Sequence, residues 1–478
     1  MAARFVVDLA SKPTLLPHTW EHTVGSCHAP LGLRADWQEQ LRRAHAELGF
    51  RHIRFHGILS DDMGTLVRHE EALVHSFHNI DVVYDALIDV GVRPFVELSF
   101  MPSAIASGER TVFRYGANVT PPRRLPYWQA LIRRLAEHWV ERYGTTEVRR
   151  WYFEVWNEPN LKDFWDGTRR DYFDLYTATA RVLEEADPDL RVGGPATAQN
   201  AWIPEFLEFC SAENVPANFV TTHHYPTDVV GGPGEDTEAS LAKVPRGTLR
   251  TQAVKARREA GDRELYYTEW NTSADQRDPL HDQPWAAAFV AKTVLDVCDL
   301  VDGYAFWTFS DIFEEKYFPS LPFHGGFGLL TIHGVPKPTY RAFELLHDLG
   351  DERYAVGGDH ETVDVWAVRR RRSLTILLTN HAMPRQPIRR ETVRIEIRGG
   401  RDPGRAVIRR IDEENANPVA AWRAMGAPEY PSRRQVEELL QASEVRAEGV
   451  TLEREEGRVV LAIELPRHAV AAITIREI

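Results

Sequence analysis

The chain predicts a (β/α)₈ barrel followed by a C-terminal β-sandwich-like accessory domain. Three observations carry this expectation. Apolar strand-like runs alternate with amphipathic helical segments from about residue 18 to residue 347. Several of the strand-like runs end in Gly, Pro, Asn or His, as barrel rims do. Beyond Leu349 the texture changes to short runs in which apolar and polar residues alternate.

In order, the strand-like runs are His18–Gly25, His52–His56, Arg93–Ser99, Trp151–Asn157, Arg191–Pro195, Phe219–Tyr225, Glu264–Trp270 and Tyr304–Phe309. Between them the helical period of 3.6 recurs over Ala35–Leu48, Asn79–Val90, Tyr127–Arg142, Arg170–Ala186, Trp202–Ala212, Thr248–Glu259 and Trp285–Val297. An eighth helical segment, Pro338–Leu349, closes the alternation. The expected domains are a barrel over 16–348 and an accessory β domain over 349–478. Residues 1–15 contribute an N-terminal strand, Arg4–Leu9, that pairs with the accessory domain. Strands are expected there at Thr362–Val368, Leu374–Asn380, Val393–Ile397, Ala406–Ile411 and Val459–Ile463, with a helix at Arg433–Ala442. The loops Pro102–Pro126 and Thr227–Gly247 are long for a barrel, and such loops on the catalytic rim build substrate pockets.

Composition narrows the function. The 478 residues carry a net charge of −13, from 57 basic and 70 acidic side chains, without a basic stripe for nucleic acid. Arg369–Arg372 is read as a solvated turn between strands. No apolar stretch is long enough to span a membrane. Cys27, Cys210 and Cys298 are widely spaced and odd in number, which argues against a disulfide framework. With no apolar leader in MAARFVVDLASK, the expectation is a reduced, cytoplasmic protein acting on a small oligosaccharide. The sequence implies no cofactor, no metal, no nucleic-acid partner and no membrane, and assigns no oligomeric state.

Barrel enzymes work at the C-terminal ends of their strands. Here those ends read HIRFHG, WYFEVWNEPN, TTHHYP, YYTEWN and FWTFSDIFEE. Glu158 on the fourth strand and Glu269 on the seventh stand on opposite sides of the ring. Glycosidic cleavage needs two carboxyl groups flanking the scissile bond: one protonates the leaving oxygen, the other attacks the anomeric carbon or activates water. A separation of about 5–5.5 Å predicts retention of configuration. The negative charge of Glu269 is expected to disfavour ionisation of Glu158 and so keep it an acid.

Bland readings hold elsewhere. Glu154 lies four residues deeper than Glu158, roughly 13 Å along a strand, and is expected to bond inside the barrel, to Arg54. Glu97 is read the same way, and Arg54 as a buried structural cation. His223 and His224 are read as hydrogen-bonding rim residues, since no third and fourth ligand stands at a metal-binding spacing and HTWEH at 18–22 does not match HExxH. Trp151, Trp156 and Trp165 are read as packing.

Taken together, RFHGILSDD at 54–62, FEVWNEPNL at 153–161, THHYPTD at 222–228, YTEWN at 267–271 and FWTFSDIFEE at 306–315 resemble glycoside hydrolase family 39. Within it the match is nearer to β-xylosidases than to α-L-iduronidases. The resemblance implies a retaining exo-β-D-xylosidase with Glu158 as acid/base and Glu269 as nucleophile. It further implies that Asn157 bonds the sugar 2-hydroxyl, that Tyr225 orients the nucleophile and that His223 modulates the proton of the acid/base. His56, Trp307, Glu314 and Phe113 are implied in the terminal-sugar subsite, with the role of Glu315 open. An α-L-iduronidase, an arabinosidase and a non-catalytic carbohydrate-binding protein stay as alternatives. The accessory domain carries no transferable motif.

Overall fold

In the computed structural model, which describes residues 3–232, 234–400, 404–455 and 457–478, eight parallel strands close into a barrel. We number them β1 (Thr23–His28), β2 (His52–His56), β3 (Arg93–Leu98), β4 (Tyr152–Val155), β5 (Arg191–Thr197), β6 (Phe219–His224), β7 (Glu264–Trp270) and β8 (Gly303–Phe306). The helices outside them are α1 (Ala35–Leu48), α2 (His78–Val90), α3 (Leu125–Tyr143), α4 (Arg169–Ala186), α5 (Ile203–Ala212), α6 (Thr248–Ala260), α7 (Pro284–Val297) and α8 (Pro338–His347). Local signals set their ends. Gly49 and Gly91 end α1 and α2 at positive φ, where glycine has no side-chain penalty. Thr168 and Asp171 form a capping box at the start of α4.

The first strand departs from expectation. His18–His22 alternates like a strand, but Thr19–Glu21 forms a 3₁₀ turn and the strand begins at Thr23. Glu21 accounts for the turn: its carboxylate bonds both His18, at 2.7 Å, and His347 of α8, at 2.8 Å. That clamp bends the chain before it enters the barrel.

Inside the barrel, side chains stack in layers, because alternate strand residues point inward. The lowest layer is aromatic and buried: Phe95, Tyr152, Phe219 and Tyr266. Two residues further along the strands the chemistry changes to Arg54, Glu97, Glu154 and Thr268, all buried. The next step upward reaches the rim.

Beyond the barrel, a five-stranded and a seven-stranded sheet face each other across one apolar core that includes Phe5, Ile376, Ile395, Leu461 and Ile473. The strand Ala3–Asp8 runs parallel to Glu391–Arg398, with Ala3 opposite Val393. Thr14–Leu15 joins the other sheet through Glu352–Tyr354. The two parts are tied together by Arg246, which donates to the carbonyls of Thr362 and His381 and pairs with Asp364. Trp285 of α7 also donates to Ala382 O at 2.9 Å. A helix not expected from the sequence, Pro418–Ala424, packs with Arg433–Ala442 over Phe323 and Val335 of the barrel. The three cysteines are free and buried. Among the described residues no helix is long and apolar enough to cross a membrane.

Candidate active site

At the C-terminal ends of the strands lies a cavity of about 440 Å³. Its wall includes His56, Phe113, Asn157, Glu158, His223, Tyr225, Glu269 and Trp307. Eight of the nine residues named from the sequence therefore share one cavity. The long loops supply part of its wall: Val112 and Phe113 follow β3, and Thr227, Asp228 and Val230 follow β6.

Arg54 is the hub beneath it. The guanidinium, fully buried, donates from Nη1 to Glu269 at 2.8 Å and from Nε to Glu154 at 2.5 Å. Nη2 reaches Glu97 at 2.8 Å and Asn157 Oδ1 at 2.9 Å. Burial opposes the charge on Arg54, but three carboxylates outweigh it and raise the pKa. Glu97 is held below the usual carboxylate range: burial would raise it, and Arg54 and His56 override that effect. His56 is raised in turn, because Glu97 at 2.8 Å outweighs the burial of the ring.

Glu269 is thus fixed from below by Arg54 and from the side by Tyr225, whose hydroxyl donates to Oε2 at 3.2 Å. Its neighbour across the cavity is differently placed. Among the described residues no Arg or Lys pairs with Glu158, whose carboxylate meets His223 instead. The Glu158 backbone is in the left-handed region, φ 45°, as is Trp156 at φ 72°. Such backbone costs of order 1–3 kcal/mol per residue and persists only where the surroundings impose it. The Glu158 N–H bonded to Ala196 O at 2.8 Å and the Trp156 indole bonded to Phe164 O impose it here. Burial raises the Glu158 carboxyl to about 7; His56 and Arg54 pull it down, and Glu97 and Asp228 push it further up. The expectation that Glu269 sets this proton is replaced by a stronger cause, removal from water.

One carboxylate oxygen of Glu158, one of Glu269 and a ring nitrogen of His223 all lie within 4.8 Å of one another. These three could surround a cation by distance alone. The protein already uses their donor atoms: His223 Nδ1 meets Glu158 at 2.9 Å and Nε2 meets Thr268 at 3.1 Å, while both oxygens of Glu269 accept hydrogen bonds.

Trp307 forms one wall, its ring 4.8 Å from that of His56 between centroids. Gly25 of β1 permits this position, since an added Cβ would lie 2.3 Å from Trp307 Cε3.

Glu314, named from the sequence, lies outside the cavity lining. Its carboxylate turns to His28, at 3.5 Å, and Arg114, at 3.4 Å. Glu315 takes the inward place, because successive side chains of an extended segment point opposite ways. Gln276 donates to Glu315 Oε2 at 2.6 Å, and the Arg114 backbone N–H binds the Glu315 carbonyl at 2.7 Å. Burial raises the Glu315 carboxyl to about 8, against the pull of His56 and the Gln276 bond and with the push of Glu269. Gln276 itself was missed, and the loop after YTEWN offers no periodicity that would have found it.

Two of the carboxylates lining the cavity, Glu158 and Glu269, thus approach each other from opposite strands of the barrel. The chain is 48% identical over 463 residues to a β-xylosidase of Caldicellulosiruptor saccharolyticus, covering 96% of this chain and 95% of that one. It is 36% identical to a β-xylosidase of Geobacillus stearothermophilus, covering 96% and 93%. A solved GH39 β-xylosidase from Caulobacter crescentus superposes with a TM-score of 0.85 at 32% identity, covering 99% of this chain and 100% of that one. The family profile "Glycosyl hydrolases family 39" matches residues 4–460. This chain belongs to glycosyl hydrolases family 39.

Proposed function

We propose that the protein is a retaining exo-β-D-xylosidase that removes xylose from the non-reducing ends of short xylo-oligosaccharides. The observation that carries the reading is the approach of the Glu158 and Glu269 carboxylates to within 4.8 Å. Retaining glycosidases hold this pair about 5–5.5 Å apart, whereas inverting ones leave about 6.5–9.5 Å for a water.

Two environments give two roles. Glu158, at about 7, retains a proton near neutral pH and delivers it to the leaving glycosidic oxygen. Glu269, held by Arg54 and Tyr225, attacks the anomeric carbon and forms a glycosyl ester. The leaving alcohol departs with the proton of Glu158. Esterification removes the charge of Glu269. Glu158, now ionised, takes a proton from the incoming water, whose oxygen attacks the same carbon and frees Glu269. Asn157 Oδ1 is engaged by Arg54, which directs its amide nitrogen to a sugar hydroxyl. Trp307 offers an apolar face to a pyranose ring.

The xylose preference rests on the relatives' names. A uronate would need a free cation. Arg54 is occupied by three carboxylates, and Lys316 at the cavity edge donates to Val230 O at 3.3 Å. Side-by-side assays on xylosides, arabinosides, glucosides and iduronides test the sugar; iduronide as the preferred substrate would overturn it. Product NMR tests stereochemistry, with the β-anomer of xylose expected first. A slow 2-fluoro-xyloside tests the nucleophile and separates an enzyme from a carbohydrate-binding protein. Labelling at Glu269 is expected; the α-anomer first, or binding without a covalent adduct, refutes the mechanism.

A further inference from the structure

Behind Glu158 runs a chain of hydrogen bonds in which each proton has only one place to go. Glu154 of β4 is ion-paired to Arg54 through Oε2, and its Oε1 lies 2.8 Å from the Thr268 hydroxyl. A carboxylate in an ion pair has no proton to give, so Thr268 donates its single hydroxyl proton to Glu154. The Thr268 oxygen, 3.1 Å from His223 Nε2, is then an acceptor, and Nε2 must carry a proton. A second proton on this ring would create a cation in a fully buried position. Burial holds the His223 pKa down to about 4, against the pull of Glu269. Nδ1 is therefore a bare lone pair, and it faces Glu158 Oε1 at 2.9 Å. Only a protonated Glu158 satisfies it.

We propose that Thr268, anchored on Glu154, is a positioning residue that locks His223 in its Nε2–H tautomer, so that the ring accepts from Glu158 and holds it as a proton donor. The proposal rests on the reading of Glu158 as acid/base. Other groups also face Glu158: His56 and Arg54 lower its pKa, and Glu97 and Asp228 raise it. Glu269, Glu315 and Tyr225 stand around the same cavity. These act through charge or burial. The His223 bond alone acts through its direction. In the opposite tautomer Nδ1–H would donate to Glu158, favour the carboxylate and lower the pH up to which the group keeps the proton it must deliver. Thr268 also adjoins Glu269, so one hydroxyl joins the strands that carry the two carboxylates.

The test uses the full-length enzyme with Thr268→Val, which keeps the shape and removes the acceptor, and Thr268→Ser, which restores it. The pH dependence of kcat/KM is measured on xylobiose, whose leaving group needs protonation, and on dinitrophenyl xyloside, whose leaving group does not. In Thr268→Val the alkaline limb on xylobiose is expected to move down by roughly one pH unit, giving about a tenfold loss above neutrality. The dinitrophenyl substrate should lose far less, and Thr268→Ser should return the limb to its original place. Nitrogen-15 NMR of histidine-labelled wild-type enzyme should find the proton of His223 on Nε2, whether or not the valine variant folds. A proton on Nδ1 overturns the proposal. So does a Thr268→Val limb that stays in place, including an equal loss on both substrates. Glu158→Ala separates the two levels: normal xylobiose turnover in that variant would sink the acid/base reading itself, whereas an inactive Glu158→Ala beside an unmoved Thr268→Val limb sinks only the lock.

Discussion

Two layers of side chains succeed one another up the barrel, two residues apart on β3, β4 and β7, and they stabilise the protein in opposite ways. The lower layer, Phe95, Tyr152, Phe219 and Tyr266, is a set of rings with centroids 4.9 to 5.8 Å apart. The upper one, Glu97 and Glu154 with Arg54 and Thr268, is a set of charges and one hydroxyl. Strand geometry treats them identically. Their chemistry does not. Apolar rings gain from burial and tolerate small changes. Buried carboxylates cost several kcal/mol each unless a partner is present, and here three of them depend on one guanidinium. The lesson is that the layer nearest the chemistry is the less forgiving one.

Four substitutions sharpen this contrast, beginning above both layers. Glu269→Ala should lower kcat on an aryl xyloside by at least about 10⁴-fold, some 5 kcal/mol of barrier, while circular dichroism stays unchanged. Unaltered turnover would remove Glu269 from the mechanism. Arg54→Met should destabilise the protein by about 3–5 kcal/mol in denaturant melts, because Glu97, Glu154 and Glu269 lose their common partner. A melt matching the parent would mean that the hub is not what holds the carboxylates.

Glu158→Gln should stabilise the protein in a pH-dependent way. Native Glu158 keeps its proton up to about 7, whereas the unfolded chain gives it up near 4.5. The native state therefore binds more protons between these values, and stability contributed by this residue falls as pH rises through that window. The neutral amide escapes the loss, so its advantage should grow from pH 4.5 to a plateau of about 3 kcal/mol near pH 8. A constant difference across that range would contradict the raised carboxyl. The same raised group predicts that wild-type kcat/KM falls above about pH 7. Tyr152→Phe, in the aromatic layer, should cost only about 1 kcal/mol. It loses the bonds to His22, at 3.0 Å, and to Tyr266, at 3.2 Å, and should leave kcat intact. A large loss of activity there would erase the distinction between the layers.

Much of this arrangement was legible in the sequence. The barrel strands announce themselves by apolar runs, and Glu154 was placed with Arg54 inside the barrel because it lies four residues deeper on its strand than Glu158. Legibility failed where the chain leaves regular structure. His18–His22 alternates like a strand, yet the histidine clamp on Glu21 bends it into a turn. Glu314 and Glu315 cannot be told apart by a motif alone, because their directions depend on Arg114, Gln276 and His28, far away in the chain. The cause of the Glu158 shift was misjudged for a related reason: a sequence displays charges but not the water excluded by folding.

The parallel pairing of Ala3–Asp8 with Glu391–Arg398 has a consequence for synthesis. The barrel's last helix ends at His347, so every barrel element can leave the ribosome before the partner of the opening strand has been made. That strand's short antiparallel partner, Val356–Gly357, follows the barrel, and its longer parallel partner is complete only once translation has passed residue 398. Closure of so long a loop is slow. Order of assembly is thereby written into the topology: the barrel can form early, and the strand Ala3–Asp8, made before it, is among the last to be sheltered.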